Sequence, residues 1–232
     1  MHPVAPVVRG LQTGLKVILC CLALTAPSVG QGSPAVPLPQ AGQTALLHRV
    51  DQHYNHLRSL KTHYVERYTG MGLSREESGT LLLKKPGRML WRYDTPQGKV
   101  FVLDGKYAWF YTPGDHQAQR LAASKLDDLR TPLRFLLGRT QLSKELQQVA
   151  VSPDGADYRI SGVPKGLEKR VRELSLLVTP DGSIDRMKIV ELDGATTEFE
   201  FTESEDNAPT QPANFVFTPP PGVAVIDALP PV

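Results

Sequence analysis

Gly79-Thr80-Leu81-Leu82-Leu83-Lys84-Lys85-Pro86-Gly87-Arg88-Met89-Leu90-Trp91-Arg92-Tyr93 contains two strand candidates, 77–85 and 89–93, separated by a turn. Successive side chains of a strand point to opposite faces, so residues of one parity share a face. Lys85, Met89, Trp91 and Tyr93 fill one parity with large, mostly apolar groups, while Arg88, Leu90 and Arg92 fill the other. One face is predicted to be covered and the other wet.

The same texture runs outward from this stretch. Segments 62–68, 99–103, 107–111, 118–121, 158–161, 173–178, 184–192, 196–201 and 215–217 are short, β-rich and bounded by turn residues. Asp104-Gly105, Asp181-Gly182 and Asp193-Gly194 are hairpin signals, because glycine accepts the positive φ that tight primed turns need. Consecutive hairpins imply one large antiparallel sheet. Ahead of them, Leu46, Leu47, Val50, Tyr54, Leu57 and Leu60 recur at three and four residues and predict an amphipathic helix over 43–60. A second, shorter helix is predicted over 131–138, where Thr131 caps, Pro132 suits the first turn and Gly138 stops it. The expected fold class is mainly β with helices, a single domain over 43–232. A sheet this wide exposes an apolar concavity unless it curls around its own helices or a ligand, and the pattern is compatible with either.

The N-terminal segment has a different character. Arg9 and Lys16 are the only charged residues of 1–30, so the rest of the chain holds 24 basic against 24 acidic residues and is electrically balanced. Those two charges precede the short apolar run 17–24 and the small residues Ala26, Ser28 and Gly30, the layout of a secretory signal peptide. That run is far shorter than the roughly 20 residues a membrane-spanning helix needs. Export with cleavage near Gly30 is expected, followed by a Pro- and Gly-rich flexible leader over 31–42. Both cysteines, Cys20 and Cys21, fall inside the apolar run, so the mature chain would have no thiol. Lipidation of Cys20 is disfavoured by the bulky Leu19 before it.

Chemistry-bearing motifs do not emerge. The chain shows no nucleophile elbow, zinc-protease helix, P-loop or dinucleotide fingerprint, and Gly70-x-Gly72 lacks the third glycine and following helix that phosphate binding requires. His53 and His56 have a spacing open to a metal, but without a companion cluster they read as solvated helix histidines. The acid pairs Glu76-Glu77 and Asp127-Asp128 read as solvated charge in turn-like stretches. No enzyme, cofactor, metal or nucleic-acid partner is expected.

The run 79–93, followed by Pro96, Val102-Leu103-Asp104-Gly105-Lys106 and Trp109-Phe110-Tyr111, resembles the periplasmic outer-membrane lipoprotein carrier family, LolA, as does the ending 215–223. The resemblance spans roughly 43–228. It implies an unclosed antiparallel β-barrel of about 11 strands whose apolar cavity is covered by a lid of short helices. It further implies a monomeric periplasmic carrier that accepts acylated lipoproteins from an inner-membrane ABC transporter and delivers them to an outer-membrane receptor. A lipid- or lipoprotein-sensing regulator of similar fold, or the lipid-anchored receptor itself, are the alternatives.

Residue by residue, the resemblance places Tyr64, Leu81, Leu83, Met89, Trp91 and Phe101 in the lipid-binding cavity, and Leu133 and Leu136 on the lid helix. Lys85 stands where the family usually has an arginine that latches the lid backbone. Lysine lacks the planar fork of five donors, so a differently arranged latch is expected. Met89 replaces a usual aromatic near the rim, and a flexible thioether suits varied acyl shapes.

Overall fold

The computed structural model describes residues 37–125 and 141–227. Helix α1 (Gln40–His56) is followed by strands β1 (Ser59–Gly70), β2 (Leu73–Lys84), β3 (Arg88–Thr95), β4 (Val100–Leu103), β5 (Tyr107–Tyr111) and β6 (Gln117–Ala122). A single turn of helix, α2 (Leu142–Glu145), then leads into β7 (Leu146–Asp154), β8 (Asp157–Pro164), β9 (Val171–Val178), β10 (Ile184–Glu191), β11 (Thr196–Asp206) and β12 (Ala224–Asp227). All twelve strands form one sheet, ordered β12-β6-β5-β4-β3-β2-β1-β11-β10-β9-β8-β7. Among the described residues every pairing is antiparallel except β12 on β6, and β7 and β12 are left as edges of an unclosed barrel.

Tight turns dictate this meander. Between β1 and β2 only Met71 and Gly72 intervene, with φ of +49° and +74°, the two positive angles of a hairpin turn whose twist suits the flanking strands. The Gly70-x-Gly72 spacing is thus explained by chain reversal. At Gly182, in the β9–β10 turn, φ is +99° and an added Cβ would come within 2.9 Å of the Arg49 backbone. That glycine is where the sheet and α1 approach most closely in this region, and Arg49 Nη1 donates to the Pro180 carbonyl beside it.

Helix α1 buries Leu46, Leu47, Val50 and Tyr54 in the same core as the sheet. It crosses one end of the concave side. Leu38, just before it, donates its N–H to the Val151 carbonyl on β7, the hydroxyl of Tyr54 accepts from the Ile184 N–H on β10, and His53 Nε2 sits 3.4 Å from Asp206 on β11. At about 1.5 Å per residue, a helix of this length spans roughly 25 Å, enough to reach across the strands from β7 to β11.

Four expectations are corrected. The helix runs from Gln40 to His56, beginning inside the stretch read as a leader and ending before Leu60. Leu57 and Leu60 are buried all the same, Leu60 from β1, so the apolar spacing continued across a break that it cannot register. Strand β7 was not anticipated, since it carries Pro153 and a bulge where Gln148 takes a φ of +55° between Gln147 and Ala150. Segment 215–217 is not a strand: a 3-10 turn (Pro212–Phe215) buries Phe215, and Phe217 packs against Trp109 and Tyr111 instead of joining a ladder, while β12 follows it. The predicted helix 131–138 and the signal segment lie outside the described residues.

Candidate functional site

Cross-strand register assembles the concave face. Phe110 lies opposite Phe101, Phe101 opposite Trp91, Trp91 opposite Leu81, and Leu81 opposite Thr62, a row running from β5 to β1. Nearer α1, Ala108, Leu103, Met89, Leu83 and Leu60 form a parallel row. On the other half of the sheet, Phe199, Met187, Leu176, Ile160 and Val151 carry the apolar surface to edge strand β7. The first row ends at Thr62, and the two halves meet through Tyr64, which lies opposite Phe201, and through Trp91 against Phe199.

Aromatic rings meet at its centre. Tyr64 contacts Trp91 edge-on at 4.5 Å between ring centroids, and Trp91 meets Phe199 at 5.8 Å. Edge-to-face contacts of this kind contribute about 0.5–1.5 kcal/mol beyond the area they bury. Trp91 is 3% exposed and Tyr64 1%, with Leu81, Leu83 and Met89 equally enclosed, while Phe101 is half-buried against them. Trp91 Nε1 donates to Met89 Sδ at 2.8 Å, which holds the thioether along the indole. Six of the sequence-predicted cavity residues therefore share one surface; Leu133 and Leu136 lie outside the described residues.

Lys85 reaches α1. Its ammonium donates to the carbonyl of Tyr54, one of the last four carbonyls of the helix, which have no acceptor role within it. A cation at a helix C-terminus also meets the negative end of the helix dipole. Burial pushes the Tyr54 phenol up to about 12, against the bond it accepts from Ile184, so it stays neutral.

The far end of the floor turns polar, and the sequence reading missed it. Glu77, expected as solvated charge in a turn, is 5% exposed and lies inside β2, while its neighbour Glu76 is the exposed one and pairs with Arg67. Lys99 Nζ grips both Glu77 carboxylate oxygens at 2.8 and 2.7 Å, and Arg75 Nε approaches at 3.4 Å. The same ammonium sits 4.3 Å above the ring of Tyr93. Glu66 is directly opposite Glu77 in register. Burial first, and the Glu77 charge second, raise the Glu66 carboxyl above the ordinary range, partly offset by Arg75 and Lys99. Gly79 lies between Tyr64 and Tyr93, which are 5.6 Å apart. A Cβ at Gly79 would stand 2.1 Å from the Arg92 carbonyl oxygen. Tyr64 Oη is buried and finds no partner of good hydrogen-bond geometry, the Tyr93 hydroxyl being its nearest candidate, and after burial itself Tyr93, Glu66 and Glu77 raise its pKa. Strand parity would have placed Glu66, Glu77 and Tyr64 on one face, had β1 and β2 been read in register.

An open polar cleft of about 430 Å³ lies at the C-terminal end of α1, lined by residues including Arg49, His53, His56 and Asp206. His53 is one of the helix histidines expected to be solvated, yet its side chain is only 16% exposed. Among the described residues no group of three or more His, Cys, Asp or Glu side chains is placed to hold a metal. No described helix is long and apolar enough to cross a membrane.

An unclosed sheet with one largely apolar face, strapped by a helix, defines the protein's class as an apolar half-barrel. The family model described as outer membrane lipoprotein carrier protein LolA matches residues 56–218, and the chain belongs to that family. It is 28% identical over 213 residues to the outer-membrane lipoprotein carrier protein of Erwinia tasmaniensis, covering 91% of this chain and 97% of that one. Against the protein of the same name from Salmonella typhi it is 30% identical over 152 residues, 66% of this chain and 72% of the relative. The crystal structure of an uncharacterized conserved protein from Thermus thermophilus superposes with a TM-score of 0.50 at 13% identity, covering 82% of this chain and 100% of that one, a likeness of fold.

Proposed function

We propose that this protein is a periplasmic carrier that shelters the acyl chains of lipoproteins released from the inner membrane and delivers them to an outer-membrane receptor. The observation that supports this reading most is the floor itself, a largely apolar surface from Phe110 on β5 to Val151 on β7 joined at its centre by Tyr64, Trp91 and Phe199, in a chain of the lipoprotein-carrier family. Acyl chains offer no hydrogen bonds, so their affinity for such a surface scales with apolar area removed from water, at about 25 cal/mol per Å². Tyr64, Leu81, Leu83, Met89, Trp91 and Phe101 are the contact residues of this reading. Their enclosure in the empty protein means that loading exchanges internal contacts for acyl contacts, which keeps affinity low enough for release. Lys85 is then a latch that holds α1 across the floor. The carrier acts as a monomer without its first 30 residues, charged by an inner-membrane ABC transporter and emptied by the receptor.

Native mass spectrometry of the protein isolated from its own periplasm tests the reading. A one-to-one complex with an acylated lipoprotein is expected. A protein that stays free of lipoprotein when mixed with a purified triacylated one, and that captures a membrane-bound regulator instead, would overturn it.

A further inference from the structure

The polar end of the floor is not needed for holding hydrocarbon. Phenylalanine at position 64 would keep the ring contacts to Trp91 and Tyr93 without burying a hydroxyl that finds no partner. That hydroxyl sits where the apolar rows end and the facing carboxyl groups begin, beside Gly79, the position without a side chain. We propose that Tyr64, with Glu66 and Tyr93 beside it, forms a polar subsite that takes the ester or amide carbonyl oxygens at the head of an acylated ligand whose chains lie on Trp91, Leu81 and Phe101. This rests on the reading of the concave face as an acyl-binding floor.

The surrounding charges select the ligand group. Glu77 is already engaged by Lys99 and Arg75, so neither cation is free to draw in an anion, and a free carboxylate head would face Glu66 and Glu77. A neutral acceptor fits better. The Tyr64 O–H can donate to it, and Glu66 follows Tyr64 on the same face of β1, opposite Glu77. Carbonyls attached to acyl chains are neutral acceptors that arrive with the apolar tails, which makes head and tail recognition a single geometric event. The apolar floor then sets how strongly chains are held, and the polar end sets how far along it they slide.

Paired probes of one chain length test this, a fluorescent diacylglycerol with ester carbonyls and its dialkyl ether counterpart without them. The parent protein should bind the ester form about five- to tenfold more tightly, the effect of one or two added hydrogen bonds. Tyr64→Phe should abolish the difference between the two probes, whatever it does to their common affinity, and its circular dichroism should match that of the parent. Equal binding of the two probes by the parent, or an ester preference that survives in Tyr64→Phe, would overturn the subsite and leave the carrier reading standing. Failure of the parent to bind either probe would overturn both.

Discussion

A buried hydroxyl without a partner carries a desolvation cost of about 1–3 kcal/mol, and Tyr64 carries that cost in the empty protein. Tyr64→Phe should therefore raise stability by about 1 kcal/mol in urea unfolding, where the loss of a hydrogen-bonded tyrosine would lower it. Glu66 makes a second residue-scale prediction. Its folded pKa is raised above the ordinary 4.5, so the stability it lends is complete below that value and is lost as pH rises through the folded pKa. Glu66→Gln should melt higher than the parent at about pH 7 and converge with it near pH 4; equal melting temperatures at both would show that burial does not penalise the charge. The resemblance placed Tyr64 in the cavity, but Glu66 did not stand out in the sequence. A glutamate looks alike on either face of a strand, and only the register of β1 on β2, which sets Glu66 against Glu77, reveals which one lost its water.

At the scale of elements, sequence pattern served best where one face was uniformly apolar. Met89, Trp91 and Tyr93 announced β3 because their parity is unbroken, and the Asp-Gly pairs announced the hairpins that the sheet contains. It failed at β7, an edge strand whose bulge breaks the alternation, and at 215–217, whose aromatics spend their area on Trp109 and Tyr111 rather than on a ladder. The end of α1 was also hidden, because Leu57 and Leu60, just beyond it, remain core residues. A contact distant in sequence meets that end, the Lys85 ammonium on the Tyr54 carbonyl. Lys85→Met keeps the apolar stem but removes the donor. For a half-buried group the loss should be about 1 kcal/mol, and hydrogen exchange of the last turn of α1 should accelerate several-fold while that of β10 stays unchanged. Exchange that is unaltered in α1 would mean the helix is held by packing alone.

For the whole molecule, the question is whether α1 competes with acyl chains or helps to bind them. The helix contributes Leu46, Leu47, Val50 and Tyr54 to the core that contains Trp91 and Leu81, so a ligand that occupies the floor has to displace some of those contacts or extend them. The two cases give opposite couplings between stability and affinity. If α1 competes, every contact it loses in the empty state lowers the cost of opening, and apparent affinity rises as stability falls. If α1 is part of the binding surface, both fall together. Val50→Ala probes this, because Val50 is 2% exposed and lies in the helix one turn before Tyr54, whose carbonyl Lys85 holds. Removing its two methyl groups should destabilise the empty protein by about 1.5–2 kcal/mol. If most of that energy stabilises the closed position of α1, affinity for a dialkyl probe should increase about tenfold, since about 1.4 kcal/mol corresponds to a factor of ten. Release to an acceptor should slow in proportion, so the variant would load well and deliver poorly. A Val50→Ala protein that is less stable and also binds the probe more weakly would place α1 within the acyl-binding surface and remove the competition on which release depends.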